Sequence, residues 1–302
     1  MNMNRRRFLK GAAAAAAAAV SIRVLDRPAL SQEPKAVGTS KAVLRLCSQE
    51  GIVPGKSLKE KVEKLQKWGC AGIELHGAGP GTKAVLDALK DSTIKVAALC
   101  WGSHNGDLVS LDPDKRKKGI ADLKIALERG GEIGSTGVIF VPCFHGQSKL
   151  PPEELDKILL DILPEIGDYA QKVKCRVLLE PLNKGETFYI NRIEQAAAIC
   201  NKLNNPGICL MGDFYHMSKE ERDQTQAFVT GGKWLHHVHL ATGKSRIAPG
   251  QEPHSFIEGM KGLKLVGYQD FCSLECGVRG NRDEELPKVF DYLRKAWEEA
   301  VV

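Results

Sequence analysis

Between residues 42 and 300 the chain alternates two hydrophobic patterns. Short, near-continuous apolar runs, such as VIFV at 138–141 and RVLL at 176–179, recur at 43–47, 72–75, 95–100, 137–143, 176–182, 208–214, 235–240 and 270–276. Continuous apolar runs of this length fit strands buried on both faces, as in a parallel sheet. Between them lie segments with apolar residues three and four apart, the signature of amphipathic helices. The clearest is 58–68, LKEKVEKLQKW, with Leu58, Val62 and Leu65 along one face and lysines along the other. Further helices are predicted over 82–89, 115–128, 153–173, 192–203, 219–228, 255–265 and 284–300. Eight alternations at a spacing of roughly 25 to 40 residues predict one closed, parallel, eight-stranded (β/α)8 barrel over 42–302. The competitor is an open doubly wound sheet, but no GxGxxG follows the first run, which weakens its nucleotide-binding form.

Composition narrows this further. The 302 residues are 43% hydrophobic and 26% charged, which excludes disorder, collagen and coiled coil for the chain as a whole. The net charge of +6 is concentrated at one end. Residues 1–30 hold Arg5, Arg6, Arg7, Lys10, Arg23 and Arg27 against Asp26 alone, leaving the remainder near neutral. No broad positive field is left to attract nucleic acid or an anionic membrane.

That basic end precedes the short apolar stretch Ala12 to Val20, too short to span a bilayer. It has the plan of a secretory signal, and Arg5-Arg6-Arg7-Phe8-Leu9-Lys10 resembles the twin-arginine motif of proteins exported after folding. Ala29-Leu30-Ser31 offers a small-x-small cleavage site. Residues 1–31 are therefore expected to be a signal peptide, 32–41 a linker and 42–302 the barrel. No cysteine lies near the cleavage site, so neither a lipid nor another stable membrane anchor is expected. The nine cysteines include no CxxC pair, which excludes a zinc ribbon. Most sit in the apolar runs, as small buried thiols do.

In a parallel barrel, reactive groups gather at the C-terminal ends of the strands. The last four runs end in LLEP, MGDF, HVHL and SLEC, which supply Glu180, Asp213, His239 and Glu275. Three carboxylates converging without a cation would repel one another. Three oxygen donors and one imidazole suit a divalent metal, Mn²⁺ first, with Mg²⁺, Co²⁺ or Zn²⁺ as alternatives. Glu74 lies in the second run and is expected to orient a ligand, to bind substrate or to form a purely structural salt bridge. Trp101 is either a stacking surface for a ligand or a core residue, and His104 beside it is expected to line the mouth and contact substrate. His237 and His236 are expected to be structural.

The motifs GIELHG at 72–77, LLEPLN at 178–183, GDFYHM at 212–217, HHVHLA at 236–241 and SLECG at 273–277 resemble, in order and spacing, the xylose-isomerase-like TIM barrel superfamily. That group contains sugar isomerases, epimerases and apurinic endonucleases. By resemblance to the ketose 3-epimerases, Glu180, Asp213, His239 and Glu275 would be the metal ligands. Glu180 and Glu275 would also be the catalytic acid/base pair, and Glu186, His216 and Arg246 would contact substrate.

The resulting expectation is an exported, metal-dependent isomerase or epimerase that abstracts a proton beside the carbonyl of a free keto-sugar or a keto-glycoside, with elimination from a 3-keto-glycoside in the same class. No Lys/Arg cluster follows a late strand, which disfavours sugar phosphates. The expected partners are a small sugar and, during export, the Tat translocase. No nucleic acid partner is expected, and a homo-oligomer is left open. One rival is an apurinic endonuclease-like phosphodiesterase, drawing extra ligands from His76, His104, His145, His216, Glu252 and His254. A second is a non-catalytic, metal-dependent sugar-binding protein.

Overall fold

The computed structural model describes residues 41–77 and 79–302, so the signal-peptide segment and nearly all of the linker lie outside the described residues. The order of elements is β1 (Arg45–Gln49), α1 (Leu58–Lys67), β2 (Gly72–His76), α2 (Thr82–Leu89), β3 (Lys95–Gly102), α3 (Pro113–Glu132), β4 (Gly137–Phe140), α4 (Pro152–Val173), β5 (Arg176–Leu179), α5 (Ile193–Leu203), β6 (Ile208–Asp213), α6 (Phe214–Glu220), α7 (Gln224–Gly231), β7 (Leu235–Leu240), α8 (Ile257–Leu265), β8 (Phe271–Leu274) and α9 (Arg282–Glu299). Each strand pairs in parallel with the next, and β8 pairs with β1, which closes the barrel.

The helices are held by one apolar face each. Along α4, Leu155, Ile158, Leu159, Ile162, Leu163 and Ile166 are buried at the spacing that points them at the sheet. Each such burial contributes about 1.5–3 kcal/mol. Where neighbouring helices approach closely, a side chain is absent: a Cβ on Gly131 of α3 would lie 2.0 Å from the Val173 carbonyl oxygen at the end of α4. Among the described residues, no helix is long and apolar enough to cross a membrane. All nine cysteines are free, and seven are buried.

The structure corrects the predicted elements in two respects. The helix expected over 219–228 is two helices, α6 and α7, with Glu221 extended between them. Each has its own N-cap: the Asp213 carboxylate accepts from Tyr215 N–H at 2.7 Å, and the Asp223 carboxylate from Gln226 N–H at 3.0 Å. The runs 137–143, 176–182 and 270–276 also overshoot, since β4 ends at Phe140, β5 at Leu179 and β8 at Leu274. Pro181, which has no N–H to give, marks the end of the β5 ladder.

Candidate metal centre and active site

The four strand ends singled out in the sequence come together. Glu180 follows β5, Asp213 ends β6, His239 lies in β7 and Glu275 follows β8. One donor atom from each falls within 4.8 Å of the other three. His239 Nδ1 lies 2.7 Å from Glu275 Oε2, 3.6 Å from Glu180 Oε1 and 3.8 Å from Asp213 Oδ2. His239 and Asp213 are fully enclosed, while Glu275 keeps 24% of its side chain exposed, on the open side of the mouth.

The other face of the imidazole explains how Nδ1 is aimed. His239 Nε2 lies 3.0 Å from Glu74 Oε2, and His237 Nε2 lies 2.9 Å from the same oxygen. Gln49 donates its amide to Glu74 Oε1 at 2.8 Å. All four groups are buried. Glu74 is thus engaged by protein donors on both oxygens and stands behind His239, where it fixes the ring and its tautomer. Burial pushes the Glu74 carboxyl up, but the two imidazoles outweigh this and hold it well below the usual carboxylate range.

With Nε2–H given to Glu74, Nδ1 presents a lone pair to three carboxylates. No hydrogen bond of acceptable geometry reaches it, although it is buried and an oxygen stands at 2.7 Å. Such an arrangement needs a positive charge between the donors. In the metal-free protein a proton serves: burial lowers the His239 pKa, but Glu74, Glu275, Asp213 and Glu180 raise it well above the ordinary histidine range. A divalent cation fits the same donor set, three hard oxygens and one imidazole nitrogen. Burial raises Glu180. It also pushes Glu275 up, but His239 and Arg246 hold that residue low.

Glu186, His216 and Arg246 meet the cluster on one side. Arg246, which adopts a left-handed backbone (φ 51°), donates Nη2 to Asp213 at 3.0 Å and to Glu275 at 2.6 Å. Its Nη1 stands 3.8 Å from Glu186 Oε1, and its guanidinium lies 4.8 Å from the Tyr215 ring centre. His216 Nε2 lies 3.6 Å from Asp213 Oδ2. Trp101 and His104 stack on each other at 3.7 Å between ring centres, at the end of β3. Among the described residues, no hydrogen bond or ion pair joins them to the four donors.

Several residues of the site escaped the sequence reading. Asn183 bonds both Glu186 and His216, Gln49 supports Glu74, and Tyr215 lies under Arg246. For Asn183 a local signal existed, since it closes the LLEPLN motif three residues before Glu186. The two candidate metal clusters among the described residues are Glu74–His237–His239 and Glu180–Asp213–His239–Glu275. Neither includes His76, His104, His145, His216, Glu252 or His254, the additional ligands an apurinic endonuclease-like site would draw on.

Comparison with known proteins agrees with this architecture. A twin-arginine signal-sequence model matches residues 2–20, so the N-terminus carries an export signal. The chain is similar to a 3-dehydro-D-guloside 4-epimerase of Escherichia coli, 28% identical over 235 residues, covering 74% of this chain and 88% of that protein. A probable ketose 3-epimerase of Synechocystis is 24% identical over 223 residues, or 70% and 76% of the two chains. The crystal structure of an apo 3-keto-D-glucoside 4-epimerase from E. coli covers 84% of this chain and 100% of its own, with a TM-score of 0.76 at 23% identity. The model of the xylose isomerase-like TIM barrel matches residues 62–296. That span runs from within α1 to within α9 and takes in all four donor residues, and the chain belongs to the xylose isomerase-like TIM barrel family.

Proposed function

We propose that this protein is an exported, divalent-metal-dependent carbohydrate epimerase or isomerase that moves a proton on the carbon beside the carbonyl of a free keto-sugar or a keto-glycoside. The observation that carries the reading is the convergence of Glu180 and Glu275, from opposite ends of a run of four strands, on one buried and unpartnered imidazole nitrogen. Relatives named for ketose and keto-glycoside epimerisation support the substrate class. Glu180, Asp213, His239 and Glu275 would hold the metal, with Mn²⁺ as the first candidate. When bound, it supplies Lewis-acid polarisation of the carbonyl and its neighbouring oxygen.

The side chains do the rest. One of Glu180 and Glu275 removes the proton next to the carbonyl, and the other returns a proton from its own side of the mouth. Return to the opposite face of the same carbon inverts it; return to the adjacent carbon interconverts aldose and ketose. Arg246 offers a fixed cation beside Asp213 and Glu275, and Glu186 offers an acceptor for a sugar hydroxyl. The burial of Glu180, Asp213 and His239 keeps bulk water from the floor of the site, which strengthens the contacts made there.

The test replaces Glu180 or Glu275 by Gln, which preserves shape and an oxygen donor but removes the base. Turnover of a panel of ketoses and 3-keto-glycosides should fall about 10²- to 10⁴-fold. In D₂O the wild type should place deuterium beside the carbonyl. Metal-loaded Gln variants with near-normal turnover would refute the two-carboxylate mechanism.

A further inference from the structure

The loop after β5 carries a chain of hydrogen bonds anchored by two backbone donors, Gly185 N–H and Asn183 N–H. Gly185 N–H, which can only donate, reaches Asn183 Oδ1 at 2.9 Å. That fixes the Asn183 amide, since its oxygen must face Gly185. The close approach uses a glycine, because a Cβ there would lie 2.8 Å from Asn183 Oδ1. Asn183 Nδ2 then points the other way. It donates to Glu186 Oε1 at 2.9 Å and stands 2.7 Å from His216 Nδ1. The backbone N–H of Asn183 reaches the same Nδ1 at 3.2 Å.

An imidazole nitrogen faced by two N–H donors must offer its lone pair, so the His216 proton sits on Nε2. That nitrogen is buried in a residue only 1% exposed, has no hydrogen-bond partner, and lies 3.6 Å from Asp213 Oδ2. A buried donor without an acceptor is costly unless a ligand supplies one.

We propose that Asn183 is a positioning residue that locks His216 in the Nε2–H tautomer and so makes it a fixed hydrogen-bond donor, rather than a base, to the sugar oxygen that gains charge beside Asp213. The role deepens the function proposed above and rests on it. The tautomer itself is a property of the resting protein and stands or falls whether or not a sugar turns over. A donor set in place before the reaction stabilises developing charge without reorganisation. It also leaves proton abstraction to Glu180 and Glu275.

The experiment combines a long-range ¹H–¹⁵N imidazole spectrum of the full chain with two substitutions. In the wild type, His216 Nδ1 should resonate as an unprotonated nitrogen and Nε2 as a protonated one. Asn183→Asp keeps the shape but sets an acceptor against Nδ1, so the proton should move there. Assayed in alkaline buffer, this variant should lose about 10²- to 10³-fold in kcat, the cost of removing one such donor. Its metal affinity should be unchanged, and any disturbance of Glu186 should appear in KM. Asn183→Ala retains the backbone donor and should lose less. A purely structural Asn183 predicts the reverse order, because truncation disturbs packing more than an isosteric exchange. A proton on Nδ1 in the wild type overturns the proposal, even if Asn183→Asp does not fold. So does wild-type kcat in Asn183→Asp, or a larger loss in Asn183→Ala. An absence of any sugar turnover with the expected spectrum would instead overturn the proposed function and leave the tautomer assignment standing.

Discussion

Glu74 lies outside the set of four donors, yet its replacement by Gln should weaken metal binding. The carboxylate accepts from three side chains: Gln49 at 2.8 Å, His237 at 2.9 Å and His239 at 3.0 Å. In Glu74→Gln the amide oxygen can still serve the two imidazoles, while its NH₂ turns to Gln49, whose own amide must flip to accept it. Shape is kept and charge is lost. A hydrogen bond to a charged group is worth about 1.5–3 kcal/mol and a neutral one about 0.5–1.5. The two imidazole contacts together should therefore cost about 2–3 kcal/mol of metal-free stability. For the metal only the His239 contact matters. Loss of such a partner lowers affinity about 10- to 100-fold, equivalent to about 1.4–2.8 kcal/mol. Calorimetric titration of chelator-treated protein with Mn²⁺, in mildly alkaline buffer where protons compete least, measures this directly. Wild-type affinity in a folded Glu74→Gln variant would refute the claim that Glu74 aims His239 at the metal.

Three other outcomes are expected. The metal-free His239 holds its proton well above the ordinary histidine range; metal must displace it, so binding near neutral pH should release about one proton and weaken as pH falls. Calorimetry in buffers of different ionisation enthalpy checks this, and binding without proton release would contradict it. Gly131→Ala should destabilise by about 1–3 kcal/mol through overpacking, because the new Cβ meets the Val173 carbonyl at 2.0 Å; helix propensity alone predicts a gain of about 1 kcal/mol, so the sign of the Tm shift decides. Replacing Arg5, Arg6 and Arg7 by Lys should leave folded protein in the cytoplasm on cell fractionation, and normal export would contradict the twin-arginine reading.

What the sequence disclosed depended on the range of each interaction. A strand buried on both faces must be apolar throughout, so all eight were visible as runs such as VIFV. The four donors were visible because each interrupts or ends such a run with a charge or an imidazole, one βα unit apart. Strand ends were less legible, since Pro181 and Leu182 prolong the apolar run after β5 has ended at Leu179. The break between α6 and α7 was written as Asp223 three residues before Gln226, a capping signal that the apolar periodicity around it concealed. The support behind His239 could not be read locally at all. Glu74 and His237 are 163 residues apart, and only closure of the barrel brings them into contact. The support behind His216 is similar: 33 residues separate it from Asn183, and its logic lies in donor directions that no residue pattern encodes.

The buried thiols have a consequence for how this molecule ages. Burial pushes Cys70, Cys175 and Cys209 up to about 12, and raises Cys47, Cys200 and Cys272 as well. At neutral pH these sulfurs present almost no thiolate, the form that oxidants and alkylating reagents attack. A barrel exported in its folded state can thus carry reduced sulfur through oxidising surroundings with no bridge to protect it. Each of these groups becomes reactive when its own surroundings open, so the order in which they are modified is a clock of local opening, segment by segment around the barrel.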